Sequence, residues 1–309
     1  MRGQKNLIRA DKGERSFSLL GYFFMAAVSL ICLIPFWLIV SGSLSSEQSV
    51  VRYGFSLLPR DFCFDAYRSI FSGWERILRS YLVTIGITAL GTGLSLMLTS
   101  MGGYVLQRQD FPYRNKLSFF VYFTTLFSGG LIPTYILMVT YLNMKNTYLA
   151  LILPSLLTPW YLMLMRNFIK SIPFSIVEAA KIDGAGDWKI FWQMILPLSK
   201  AGLATVGLFI ALGYWNNWYF ASLYITREEM YPLQYLLYQL LSSAEYLKKA
   251  AASGVATGVI QTPSETLKMA TAVVVTGPII LLYPFVQKYF VKGVMIGSCL
   301  LYTSDAADD

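Results

Sequence analysis

Six long stretches of the chain carry no Asp, Glu, Lys or Arg, and polar segments of unequal length separate them. They cover residues 19–42, 81–105, 117–142, 147–165, 201–225 and 269–287. A helix needs about 20 predominantly apolar residues to cross the hydrocarbon core of a bilayer, so each stretch is long enough to span it. The pattern predicts an all-α, polytopic membrane protein with about six transmembrane helices.

Composition agrees with this pattern. Of the 309 residues, 55% are hydrophobic and only 14% are charged, whereas soluble domains carry about 25% charged residues. The first stretch is too long for a signal peptide, so we expect it to be retained. We divide the chain into a tail at 1–18, one transmembrane domain at 19–297 and a last segment at 298–309. That last segment changes character abruptly, and we expect it to be non-native.

The distribution of basic residues predicts the orientation. Residues 1–18, 106–116, 166–200 and 288–297 hold 15 of the 25 Lys and Arg residues. With six spans these segments share one side, and basic residues are enriched on the cytoplasmic side of membrane proteins. We therefore expect both termini, and the segment 166–200, to be cytoplasmic.

Several kinds of chemistry have no support in the sequence. Histidine is absent, and the three cysteines are not spaced as a metal or disulfide site, so we expect neither a metal site nor a His-dependent enzyme. The basic residues are scattered, so we expect no nucleic-acid partner. An ion-coupled secondary carrier is an alternative class of function for such a chain. Carriers of this class usually have charged groups inside the membrane, and the six stretches have none.

The segment at about 171–200 is unusual because it is polar and punctuated by glycine. It contains the sequence EAAKIDGAGDWKIFWQMILP. We expect Pro173 to lie in the first turn of a short helix, and Gly184 to end that helix in the left-handed conformation. Asp187 is a candidate N-cap for a second helix that ends before Pro197.

One alternative is an amphipathic hairpin that lies on the lipid surface, with Trp188, Phe191 and Trp192 as headgroup anchors.

The same segment resembles the EAA loop of binding-protein-dependent ABC import permeases. The pattern is EAA, three residues, Gly, nine residues, then I-x-L-P, and Met194 stands here in place of its Ile. The matching residues are Glu178, Ala179, Ala180, Gly184, Leu196 and Pro197. The resemblance extends to about residue 297 through stretches such as GGLIP, GYWNNWY and KYFVKGVMIGS, and it is strongest to carbohydrate-uptake permeases.

This resemblance implies a function and a set of partners. It implies a non-catalytic permease subunit of an ATP-driven importer of oligosaccharides or polysaccharide fragments in the bacterial cytoplasmic membrane. Its partners would be a second homologous permease, two cytoplasmic ATPase subunits that bind ATP and Mg, and an extracytoplasmic sugar-binding protein. No cofactor is expected in this chain. Glu178 would orient the loop, and Asp183 and Gly184 would shape its turn.

A candidate substrate pathway lies at the end of the fifth stretch. Aromatic rings pack against sugar rings, and Asn amides both donate and accept hydrogen bonds. The candidates are Tyr214, Trp215, Asn216, Asn217 and Trp218. For the aromatic residues the alternative is a belt at the outer membrane interface, and for the two Asn residues it is an interface between subunits. Because the stretches are uncharged, we expect weak selection of neutral, hydroxyl-rich solutes.

Two long segments, at about 45–80 and 226–268, are predicted on the outer side. The second is apolar at helical spacing in YPLQYLLYQLLSSAEYLKKA. It is either a helix packed at the membrane surface or a docking site for the sugar-binding protein.

Overall fold

The computed structural model of the protein describes residues 12–252, 265–278 and 280. Within these residues the regular secondary structure is helical, with no strand, which confirms the all-α fold. The first half contains α1 Lys12–Ser43, α2 Glu47–Tyr53, α3 Asp65–Ser72, α4 Trp74–Gln107, α5 Arg114–Leu126, α6 Leu131–Ile136 and α7 Leu149–Ile152. The second half contains α8 Pro159–Lys170, α9 Phe174–Ile182, α10 Asp187–Ile190, α11 Leu196–Leu198, α12 Lys200–Trp215, α13 Trp218–Tyr224, α14 Leu233–Ala252 and α15 at residues 265–278.

The chain divides into two compact units, Met1–Ser72 with Gly254–Val274 and Gly73–Ser253 with Val275–Asp309. In the first unit the apolar side chains of α1 are mostly exposed. Glu47 supplies the first turn of α15 with a cap, because its carboxylate accepts the backbone N–H groups of Glu265 at 2.8 Å and Thr266 at 2.9 Å. A carboxylate is favourable there, since a helix N-terminus carries partial positive charge.

In the second unit α4 is the central helix. It is 34 residues long, and it packs most extensively against α12 and α8. Gly91 allows the closest of these contacts, because a Cβ atom there would lie 2.7–2.8 Å from the ring of Tyr214. The side chain of Tyr214 is therefore seated directly on the backbone of α4.

The hydroxyl of Tyr214 holds three helical segments together. It lies 2.9 Å from Ser95 Oγ on α4 and donates to the backbone carbonyl of Ile152 on α7 at 3.0 Å. Tyr214 and Ser95 are both buried. Because a buried polar group without a partner is costly, these bonds specify how α4, α7 and α12 pack.

Within the described residues, two helical stretches are long and apolar enough to cross a membrane, Phe17–Ser43 and Trp74–Gln107. The number rises to five if each bent helix pair counts as one span. The first two predicted spans are thus continuous helices. The last part of the sixth, 269–287, lies outside the described residues, as does the predicted boundary at 297.

The third, fourth and fifth predicted spans are not continuous helices, and this part of the prediction is wrong. The third bends by 109° between α5 and α6, where Gly130 has a φ of +85°. The fourth bends by 55° before Pro159, which has no N–H to continue a helix. The fifth ends at Trp215 and resumes as α13 at Trp218.

We predict that Gly91→Ala destabilises the protein. The new methyl group would overlap the Tyr214 ring, and two hydrogen bonds prevent the ring from moving away. Overpacking of this kind costs about 1–3 kcal/mol. Thermal unfolding of the purified protein in detergent would measure the effect.

Gly93→Ala is the matched control, because it is on the same helix and a Cβ atom there has nothing within 4 Å. It should leave the melting temperature unchanged or raise it, since Ala favours a helix. Equal melting temperatures for the two variants would contradict the proposed contact.

Candidate functional site

Residues 174–198 form a helical hairpin, made of α9, a tight turn and the segment α10 to α11. Pro173 has φ −56° and ψ 131° and is the N-cap of α9. It therefore precedes the first turn of the helix, whereas the sequence had predicted it within that turn. Its fixed φ is compatible with this position, and its extended ψ directs the chain into the helix.

The turn of the hairpin is a Schellman motif centred on Gly184. The N–H of Ala185 donates to the carbonyl of Ala180 at 2.9 Å, and the N–H of Gly184 donates to the carbonyl of Lys181 at 3.0 Å. Gly184 has a φ of +78°, which confirms the predicted left-handed conformation. A side chain at this φ brings the Cβ atom close to the backbone, so glycine is favoured here.

The second arm of the hairpin differs from its prediction at both ends. α10 is capped by Gly186, and the Asp187 side chain makes no capping bond, so the predicted Asp187 N-cap is wrong. The arm also continues past Pro197 to Leu198. A π-helical turn at Phe191–Ile195 precedes this proline. In this π-helical turn the backbone bonds join residues i and i+5, unlike those of an α-helix, just before a residue that has no N–H.

Four charged residues fix the hairpin to the end of α4. The Arg108 guanidinium donates to Asp110 at 2.8 and 2.6 Å and contacts Asp187 at 2.8 Å. Lys181 pairs with Asp110 and lies 3.9 Å from Asp187. Two carboxylates and two cations therefore form one network, which we call the ion-pair brace. It connects both arms of the hairpin to the segment between α4 and α5.

The Asp110 carboxylate of the brace stays ionised under moderate acidification. Hydrogen bonds from Arg108 and Lys181 hold the pKa of the Asp110 carboxyl well below its usual range. When a folded-state pKa is depressed, the stabilisation is complete above the unfolded pKa, about 3.9 for Asp, and is lost as pH falls through the folded value. The contribution of Asp110 to the brace should therefore be unchanged between about pH 5 and 8.

The hairpin has an anchored face and an open face. Val177 and Ala180 are buried in the main core cluster. On the open face Ile182 is 86% exposed, although apolar side chains of this size are usually covered. Ile182 was not among the predicted loop residues. Of those that were, Ala180 is buried and Leu196 is half-buried. The exposed ones are Glu178, Ala179, Asp183, Gly184 and Pro197.

The structure separates the three proposed headgroup anchors. Phe191 is only 3% exposed and belongs to the core, so it is not a lipid anchor in this structure. Trp188 and Trp192 are 59% and 44% exposed. These two indoles remain compatible with an interface position.

The candidate pathway residues differ in how far they are buried. Tyr214 and Trp215 are buried within the chain, so neither faces open space. Asn216 is exposed and accepts a hydrogen bond from Gln234 at 3.3 Å. Trp218 is 40% exposed and stacks on Tyr238 with 4.5 Å between ring centroids.

Asn217 has a structural role that the sequence did not indicate. Its side-chain oxygen accepts the backbone N–H of Phe220 at 3.1 Å and so caps α13. Its amide nitrogen donates to the carbonyl of Leu151 on α7 at 3.3 Å. The same residue ends the interruption after α12 and ties the next helix to α7.

We predict that Asn217→Ala lowers the thermal stability of the purified protein. Loss of a side-chain N-cap typically costs about 1 kcal/mol, and the Leu151 carbonyl would lose a donor. Asn216→Ala is the control. Its amide donates to Leu212 of its own helix at 3.0 Å, and its other bond, from Gln234 at 3.3 Å, is exposed to solvent, so its loss should cost little. Equal melting temperatures for the two variants would contradict the capping role of Asn217.

Comparison with known proteins places the chain in a family. Residues 111–296 match the family described as binding-protein-dependent transport system inner membrane component. One similar protein is the polygalacturonan/rhamnogalacturonan transport system permease protein YtcP of Bacillus subtilis (strain 168). The two sequences are 42% identical over 285 residues, and the match covers 92% of this chain and 98% of that protein. Protein LplC of the same organism is 39% identical over 287 residues, with 93% and 96% covered.

A solved structure is similar over almost the same length. It is the crystal structure of a bacterial ABC transporter involved in the import of the acidic polysaccharide alginate. One of its chains is 30% identical, with a TM-score of 0.77, and the match covers 91% of this chain and 98% of that chain. From these matches, this chain belongs to the family of binding-protein-dependent transport system inner membrane components, the permease family that its residue pattern had indicated.

Proposed function

We propose that this chain is a transmembrane permease subunit of an ATP-driven importer of oligosaccharides or polysaccharide fragments. The observation that carries the proposal is the helical hairpin. It presents most residues of the EAA pattern, among them Glu178, Ala179 and Gly184, on an open face. Ala180 of the same pattern lies on the opposite face, which is buried in the core. Two similar proteins are described as serving polygalacturonan/rhamnogalacturonan transport and alginate import, which supports the substrate class.

The open face of the hairpin is the proposed contact with a cytoplasmic ATPase subunit. Ile182 would enter an apolar groove of that subunit, and Glu178 and Asp183 would orient the contact from either side. ATP binding needs only to favour one of two states of the membrane helices. The hairpin would pass that bias to the core through Val177 and Ala180, which are buried against it.

The proposed assembly contains this chain, a second homologous permease, two ATPase subunits and an extracytoplasmic sugar-binding protein. ATP and Mg would be bound by the ATPase subunits, and this chain would contribute no catalytic group. The distribution of Lys and Arg supports a cytoplasmic position for the hairpin and for both termini.

We propose the class of substrate, oligosaccharides or polysaccharide fragments, but not whether the substrate is neutral or acidic. The uncharged spans favour neutral sugars, whereas the solved relative is involved in the import of an acidic polysaccharide. The binding protein would carry out tight recognition, and the permease pathway would select only weakly. Asn216 and Trp218 are the pathway candidates that the structure leaves exposed.

Uptake into proteoliposomes that hold the whole complex tests the function. We expect labelled neutral or uronate-containing oligosaccharide to accumulate only when ATP and the binding protein are both present. A proton or sodium gradient alone should drive no uptake. Robust gradient-driven uptake without ATP would instead establish the secondary carrier, the rival interpretation.

We predict that Gly184→Asp abolishes uptake while the chain still inserts and assembles. The left-handed turn disfavours a residue with a Cβ atom, and the new carboxylate would alter the open face. Uptake and the amount of complex in the membrane would both be measured.

Gly186→Asp is the matched control for added charge. Gly186 has φ −70° and ψ 157°, which any residue adopts, and a Cβ atom there has nothing within 4 Å. Asp is also a favourable N-cap for the helix that follows. We expect this variant to retain most of its uptake. Wild-type uptake by a normal amount of the Gly184→Asp protein would refute the role of the turn.

A further inference from the structure

A polar cleft opens where three helices of the second unit end or begin. It lies at the C-terminal end of α4, the N-terminal end of α5 and the C-terminal end of α8, and its volume is about 380 Å³. Except for Leu106, the side chains that line it are polar. They are Gln107, Gln109, Arg114, Asn115, Arg166 and Lys170.

Three cations meet in this cleft without an acidic partner. Among the residues that the structure describes, Arg114, Arg166 and Lys170 form no ion pair with a carboxylate. The two arginines are half-buried. The nearby Asp110 is already paired with Arg108 and Lys181 in the ion-pair brace. Removing guanidinium groups from water without a counterion is costly, so the cleft favours an anion from outside the chain.

Helix dipoles explain only part of this arrangement. Arg166 and Lys170 are near the C-terminal end of α8, where a cation is favourable. Arg114 is the first residue of α5, a helix of 13 residues, where the dipole disfavours a cation. The Arg114 side chain makes one hydrogen bond, to the carbonyl of Arg108 at 3.4 Å. The N–H of Arg114 itself donates to the carbonyl of Phe111 at 3.3 Å. A bound anion would be stabilised by the Arg114 guanidinium and by the next N–H groups of the first turn of α5.

The cleft is bounded by the ends of apolar helices that are candidates for membrane spans. If these helices cross a bilayer, their ends lie close to its lipid headgroups. Tyr113, next to Arg114, is 58% exposed, and the Lys116 ammonium lies 5.8 Å from its ring centroid. Exposed Tyr beside Lys is typical of the membrane–water interface, and basic pockets between membrane helices bind anionic headgroups.

We propose that this cleft binds the phosphate of an anionic phospholipid headgroup. Arg114 and Arg166 donate to the phosphate oxygens, because a guanidinium presents paired N–H groups to a phosphate. Lys170 adds a third positive charge at the exposed rim. The neighbouring amides, from Gln107, Gln109 and Asn115, bind headgroup hydroxyls. A zwitterionic headgroup carries its own cation, which the three basic side chains repel.

Competition binding on the assembled importer, in neutral detergent micelles, tests the site. The assay contains neither ATP nor sugar, so the result does not depend on the proposed transport function. Radiolabelled phosphatidylglycerol is the probe. Unlabelled phosphatidylglycerol, phosphatidylcholine and glycerol 1-phosphate are the competitors. We expect phosphatidylglycerol to compete at least tenfold better than the other two, and the double variant Arg114→Gln/Arg166→Gln to bind the probe at least tenfold more weakly.

The control is Lys145→Gln/Arg227→Gln, which removes the same charge from two exposed side chains without ion pairs in the described residues. It should bind the probe as the wild type does. Both double variants should assemble normally in phosphatidylcholine, which excludes unfolding as the cause of a loss. Equal weakening by both double variants, or no preference over phosphatidylcholine, would overturn the site. Competition by glycerol 1-phosphate as strong as by the lipid would overturn its assignment to lipid.

Discussion

One buried hydroxyl joins three helical segments of the second unit. A polar group without a partner is costly in an apolar interior, and the Tyr214 hydroxyl avoids this cost through partners on neighbouring helices. It finds Ser95 on α4 and the backbone of Ile152 on α7. Gly91 makes this possible by leaving room for the ring. The Tyr214 side chain and the missing side chain at Gly91 together help to fix the relative positions of α4, α7 and α12.

The hairpin is joined to this core in two different ways. Val177 and Ala180 bury apolar surface in the same cluster that contains Tyr214. The ion-pair brace adds directional contacts from Arg108, at the end of α4, to Asp187 on the second arm. Apolar burial supplies most of the stabilisation in such a contact, whereas partly exposed ion pairs mainly fix its geometry.

Sequence patterns predicted local features well and long-range contacts poorly. The left-handed turn at Gly184 was predictable, because it depends on the backbone of a few adjacent residues. The brace was not, since Asp110 and Lys181 are 71 residues apart and charge alone does not indicate which residues pair. Hydropathy also missed the bends in the later spans, because apolar content does not report whether a helix is continuous. Asn217 was chosen for its chemistry toward sugars, but the structure gives it a helix cap as well.

The construction of the hairpin determines how a mechanical load would travel through it. A Schellman turn has few soft torsions, and the brace holds both arms against the end of α4. A displacement applied at Ile182 would therefore reach the buried side of α9 almost undiminished. Under the proposed coupling the hairpin would move as one short rigid body, and the bending needed for transport would occur in other parts of the chain. The helices are interrupted at Gly130 and before Pro159, for example.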